Sequence, residues 1–186
     1  MAAYGSIAWS RIVITETQIA QVITAILGRE GGFVDDPQDS GGRTNFGITQ
    51  TTADDLGLGD VADLTYNQAF AAYRRMFADW RIDQMVEFHT FALIADACVN
   101  HGSGRAVKWL QEALGIVDDG VIGPQTLQAL EASAKLQRGS EALYASILSL
   151  RIAFYGAIIG AHPYNAKWAH GWLTRAASFL RPWPFV

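Results

Sequence analysis

Between Ile19 and Leu27 the apolar positions recur at helical spacing: Ile19, Val22, Ile23, Ile26 and Leu27. Thr15 and Gln18 stand ahead of them at the spacing of a capping box. The pattern predicts an amphipathic helix that buries one face and carries Glu30 into its last turn. Gly31-Gly32 then stops the helix, because glycine takes the left-handed cap geometry at little steric cost. Turn formers follow, Asp36-Pro37 and Ser40-Gly41-Gly42, flanked by Phe33-Val34 and the run from Thr44 to Ile48. That arrangement predicts a small, irregular β-hairpin beside the helix end.

Helical patterns dominate the rest. Thr49 is placed to cap a short helix that Gly57 ends. Thr65 and Gln68 repeat the capping-box spacing before a helix to Trp80, and a short helix is expected over Ile82 to Phe88. Phe91, Leu93, Ile94, Ala97 and Cys98 are too continuously apolar for a surface helix, which predicts a buried central helix ending at Asn100-His101-Gly102. A helix over Gly104–Leu114 should end at Gly115, and Pro124 suits the first position of the next, to Ala134. Ser140 is placed to cap a long apolar helix over Leu143 to Ala161, and Pro163 to open a last helix to Leu180. The sum is a mainly α fold with one small hairpin. Residues 16–104 form a first region and residues 105–181 a helical second region packed on it.

Composition narrows the class. Half of the 186 residues are hydrophobic and 17% are charged, so a packed core is expected and disorder is not. The single cysteine, Cys98, excludes an intramolecular disulfide and reads as a buried hydrophobe. The four histidines have no partner at ligand spacing, so neither metal nor cofactor is implied. Residues 1–100 carry six Lys+Arg against thirteen Asp+Glu, a net −7, and residues 101–186 carry eight against five, a net +3. The basic half could meet an acidic polymer such as a cell wall, or be an ordinary solvated surface. No basic run exceeds Arg74-Arg75, which disfavours nucleic acid as a partner. Arg151 near the centre of the Leu143–Ala161 stretch disfavours a membrane span and predicts a core helix, with Arg151 buried against an acid or a carbonyl. Residues 1–11 lack the charged and apolar segments of a secretory signal, so synthesis in the cytoplasm is expected.

The chemistry sits around the helix end. Cleavage of a glycosidic bond needs two carboxylates across a groove. One protonates the leaving oxygen, and the other activates water or meets the sugar directly. Asp39 lies nine residues after Glu30 and Thr44 five after Asp39, distances that a helix end, a turn and a strand can close. Each residue has a plainer reading. Glu30 could be a solvated helix end, although a carboxylate there opposes the helix dipole. Asp39 before Ser-Gly-Gly could be a turn former, as Asp36 before Pro37 is. Thr44 could orient a water or merely favour a strand. Phe46 and Gln50 could line a groove, or pack and be solvated. Asn100 could bond a sugar acetamido group or cap its helix.

The segment Glu30-Gly31-Gly32-Phe33, with Asp36-Pro37, Asp39-Ser40-Gly41-Gly42, Thr44 and Phe46-Gly47-Ile48-Thr49, resembles the signature of glycoside hydrolase family 108. The Glu, Asp, Thr order is also similar to that of phage T4-type lysozymes, with a second gap one residue shorter. Asp96 to Gly102, Ala106 with Trp109-Leu110-Gln111, Asp119 to Leu127, Arg151 to Tyr155 and Gly171 to Arg175 resemble the same family and its C-terminal peptidoglycan-binding domain. The resemblance implies a lysozyme-like fold and an N-acetylmuramidase whose substrate is the peptidoglycan glycan strand. It implies Glu30 as general acid and, by the similar spacing, Asp39 with Thr44 as the partner group; Phe46, Gln50 and Asn100 remain candidate substrate contacts on their residue types and positions alone. A monomer is expected, acting on the wall after release or export. A secretion-accessory module without catalysis and a lytic transglycosylase are the competing readings. A water held between Glu30 and Asp39 would make the reaction inverting, with the carboxyl groups roughly 6.5–9.5 Å apart rather than about 5–5.5 Å.

Overall fold

Helix α1 (Glu16–Arg29) forms where the apolar periodicity places it, with Ile19, Val22, Ile23, Ile26 and Leu27 buried along one side. Its start is the expected capping box: the Thr15 amide donates to Gln18 Oε1 and the Gln18 amide to Thr15 Oγ1. The computed structural model describes residues 13–29, 32–35, 42–136 and 138–180. Within these, two short strands and eight α-helices are present: β1 (Thr44–Asn45), β2 (Ile48–Thr49), α2 (Gln50–Leu56), α3 (Tyr66–Asp79), α4 (Phe88–His101), α5 (Ser103–Leu114), α6 (Pro124–Ala134), α7 (Gly139–Ala161) and α8 (Ala169–Ser178).

The centre is α4. Every residue from Thr90 to Cys98 is buried, as its unbroken apolar run predicts. Helices α1, α5 and α7 pack around it, and α8 packs on α7. One hydrophobic cluster runs from Ile19 in α1 to Ala176 in α8, so the two halves of the chain share a core. Full burial of each Ile or Leu in it contributes on the order of 2 kcal/mol. The architecture is a lysozyme-like helical fold with one small hairpin.

Several expectations change. Val34 pairs antiparallel with Thr44 as expected, but the run from Thr44 to Ile48 is not a single strand and turns back on itself at Phe46-Gly47. Both residues have positive φ, 53° and 74°, as a type I′ turn requires. Glycine is at ease there; Phe46 is held by the Tyr73 hydroxyl, which donates to its carbonyl at 2.8 Å. Val34 joins the hairpin only through a bridge to Thr44. The segment after α3 is a 3-10 turn at Ile82–Gln84, and α4 starts afresh with the Glu87 carboxylate capping His89 and Thr90.

The long apolar helix is not a buried one. Only Leu143, Ile147, Leu148, Arg151 and Tyr155 of α7 are buried, while Ile152 stays 40% exposed. Its outward positions are mostly Ala, Ser and Gly, which read as apolar without needing burial. Ser140 does not cap it; α7 begins at Gly139, where any Cβ would collide with the Ser133 carbonyl oxygen. Finally, Pro163 opens a 3-10 segment to Trp168, and α8 follows as a separate helix.

Candidate active site

The hairpin is fixed from below. Asn45, buried in β1, donates from Nδ2 to the Val61 carbonyl at 2.8 Å. Arg43 pairs with Asp60 at 2.8 Å and lies over the Phe33 ring, 5.4 Å from its centroid. The Val34–Thr44 bridge closes at 2.8 and 2.9 Å, so the chain is paired on both sides of residues 36–41. A strand residue and a helix end are thus carried on elements with buried anchors, which is what a site needs for positional precision.

The predicted site residues fall out as follows. Glu30 and Asp39 lie outside the described residues, as does Asp36. Glu30 follows Arg29, the last residue of α1. Thr44 is half-buried in β1, opposite Thr49. Phe46 is half-buried at the turn, its ring edge-on to Tyr66 at 6.3 Å. The Gln50 amide is engaged in holding a loop: Nε2 donates to Asp54 Oδ1 at 2.8 Å and to the Gly59 carbonyl at 3.0 Å, and Oε1 accepts from the Val61 amide at 3.1 Å. Asn100 is exposed on the last turn of α4, donating from Nδ2 to the Asp96 carbonyl at 2.6 Å. Among the described residues no group of His, Cys, Asp and Glu is arranged to hold a metal ion.

One charged cluster escaped the sequence reading. Asp96, buried in α4, accepts from Arg175 Nη2 at 2.8 Å and Nε at 3.0 Å on the same oxygen. Arg151 Nη1 lies 2.7 Å from its other oxygen, and Arg29 Nη1 lies 3.6 Å away. The Arg151 contact is an ion pair too poorly aligned for a hydrogen bond, since Nη1 and Nη2 complete none. Burial works against the Asp96 charge, but attraction to Arg175 and Arg151 outweighs it and holds the carboxyl below its ordinary range. The expectation for Arg151 is met: it is fully buried with an acid beside it. A lone Asp inside the apolar run of α4 is the signal that names its partner.

The cluster continues into a second polar chain. Arg151 Nε donates to the Tyr155 hydroxyl oxygen at 3.0 Å, and that hydroxyl lies 3.1 Å from His101 Nε2. With its oxygen accepting from Arg151, Tyr155 is left to donate to an unprotonated His101 nitrogen. Trp109, Phe154 and Tyr155 surround the imidazole. Burial first, and then the charge of Arg151, pull the His101 pKa down from 6.5 to about 4. A depressed histidine pKa means that the unfolded chain takes up the proton first. Stability is therefore complete above pH 6.5 and is lost as pH falls toward 4, by at most on the order of 3 kcal/mol. Melting temperatures between pH 7 and 4 should fall, and His101→Phe should flatten that slope; an unchanged slope would remove His101 as the cause.

The second region has its own clamp. Buried Gln111 donates from Nε2 to Asp119 Oδ1 at 2.7 Å, to the Val121 carbonyl at 3.0 Å and to Thr126 Oγ1 at 3.1 Å. Its Oε1 accepts from the Gly120 amide at 2.8 Å. The Asp119-Gly120 turn, which the sequence presents as an isolated motif, is thus tied to α5 and to the start of α6.

Comparison with known proteins finds matches to two stretches of the chain. Residues 23–102 match the family described as Glycosyl hydrolase 108, and residues 105–177 match a Predicted Peptidoglycan domain. A search of curated proteins returns no significant match. Among solved structures, that of Brucella abortus SagA is similar, with a TM-score of 0.74 and 27% identity over 89% of this chain and 92% of that one. With the Glu30 to Thr49 motif inside the first match and α8 closing the second, the chain pairs a stretch similar to glycosyl hydrolase 108 with one similar to a peptidoglycan domain, the combination of a peptidoglycan-directed glycosidase.

Proposed function

We propose that the protein is an N-acetylmuramidase, cleaving the β-1,4 bond between N-acetylmuramic acid and N-acetylglucosamine in peptidoglycan glycan strands. The observation that supports the reading is the glycosyl hydrolase 108 match, which contains the whole Glu30 to Thr49 motif and begins within α1, the helix that Glu30 follows in the sequence. Glu30 donates the proton to the leaving oxygen. Asp39 takes a proton from the attacking water, and the Thr44 hydroxyl helps to orient that water. Water adds to the anomeric carbon as the glycosidic bond breaks, so the sugar hydroxyl leaves with the proton from Glu30. Phe46 and Asn100 contact the glycan strand, and Gln50 contributes by holding the 59–61 loop. Residues 16–104 carry the chemistry, and residues 105–181 hold the wall.

The mechanism is inverting on this reading, because a water between acid and base separates the carboxyl groups more widely than direct attack allows. NMR of a digest, recorded before mutarotation, should show α-configured reducing ends first. Initial β product would show that Asp39 does not act as a base on water.

A further inference from the structure

The C-terminal region does more than hold the wall: we propose that α8 fixes the general acid in place, with Arg29 as the positioning residue between them. The inference rests on Glu30 as the acid and adds a role for a region otherwise assigned to binding.

Helix ends fray unless side chains hold them. Arg29, the last residue of α1, is held by groups from far along the chain. Its Nη1 lies 3.6 Å from Asp96 Oδ1 in α4, and its Nη2 donates to Ser178 Oγ at 3.3 Å at the end of α8. Its guanidinium also lies 5.4 Å from the centroid of the Phe179 ring.

Each of these partners is fixed in turn. Ser178 donates its own proton to the Arg175 carbonyl at 2.7 Å, which leaves its oxygen lone pairs for Arg29. The Phe179 carbonyl accepts from the Tyr144 hydroxyl in α7 at 2.6 Å, and its ring is buried beside the Arg151 guanidinium. Asp96 is held by Arg175 and Arg151.

Residue 30 is one peptide bond from this anchor, about 3.8 Å between Cα atoms. Proton transfer to a leaving oxygen needs the acid within hydrogen-bond reach, and a misplacement of about 1 Å costs ~100-fold in rate. The wall-binding region therefore contributes to turnover itself, through Arg29 and the α8 end.

The test uses the full chain and soluble, uncrosslinked glycan strands, so that affinity for the insoluble wall does not enter. Arg29→Met keeps the side-chain length and removes the guanidinium. It should lower kcat about 10- to 100-fold with KM within about twofold of wild type, and leave binding to purified sacculi unchanged. Phe179→Leu and Ser178→Ala reach the same anchor from α8. Each should lower kcat by a smaller factor, and they carry the test if Arg29→Met fails to fold. Arg29→Lys, which restores a cation without the fork, should recover only part of the loss. Wild-type kcat in folded variants, or a loss confined to KM or to sacculus binding, would overturn the proposal. Wild type and Glu30→Gln in the same assay keep the two readings apart. If wild type hydrolyses the strands and Glu30→Gln does not, while Arg29→Met retains full kcat, positioning fails and the acid assignment stands. If Glu30→Gln retains activity, the acid assignment fails and the positioning proposal falls with it.

Discussion

Glu30→Gln should fold with the wild-type melting temperature and lose nearly all lytic activity. The amide keeps the shape of the side chain and removes the transferable proton. A positioned general acid is worth roughly 100- to 10,000-fold, so turbidity loss of a cell-wall suspension should drop by at least about 100-fold. Residue 30 lies one position beyond the α1 helix, whose core contacts come from Ile19, Val22, Ile23, Ile26 and Leu27. The buried face of α1 is complete before residue 30, so stability and activity should separate. Substantial lysis by a correctly folded mutant would sink the assignment.

The second large effect is on stability. Asp96 stands among three arginines from three helices, Arg29, Arg151 and Arg175. Taking one partner out of a buried ion pair leaves an uncompensated charge and costs about 3–5 kcal/mol. Asp96→Asn strips the carboxylate from all three guanidinium groups, and Arg151→Ala adds a cavity next to Tyr155 and Phe179. Each should lower the melting temperature by roughly 10 °C, at about 2–4 °C per kcal/mol for a chain of this size. Because the two side chains touch, the double mutant should lose less than the sum of the single losses. Strict additivity in denaturant unfolding would show that the pair is not coupled.

The sequence made local rules visible and hid distant ones. The caps at Thr15–Gln18, Thr49–Thr52 and Thr65–Gln68 were legible because donor and acceptor lie three residues apart. The core face of α1 and the burial of α4 follow from periodicity and from an unbroken apolar run. The Phe46-Gly47 turn was obscured by a more conspicuous glycine cluster at residues 41–42, and the phenylalanine at positive φ is held by contacts to Tyr73 and Tyr66 that lie far along the chain. Helix α7 misled because alanine, serine and glycine score as neutral or apolar whether or not they are covered. The Asp96–Arg175 pair joins residues 79 apart, beyond the reach of any local pattern. For the candidate site, Glu30, Asp39 and Thr44 stand in the sequence as a spaced motif, of which Thr44 lies among the described residues. The structural uses of Gln50 and Gln111 were not legible, since a glutamine clamp has no signature until its loop is folded.

The most direct test of the muramidase reading is the identity of the sugar at the new end. Purified peptidoglycan would be digested with the full chain, reduced with borohydride and analysed by mass spectrometry. Cleavage between N-acetylmuramic acid and N-acetylglucosamine predicts muropeptides ending in reduced N-acetylmuramic acid, absent from the Glu30→Gln digest. Reduced N-acetylglucosamine at the new ends, 1,6-anhydro products that resist reduction, or no new ends at all would contradict it.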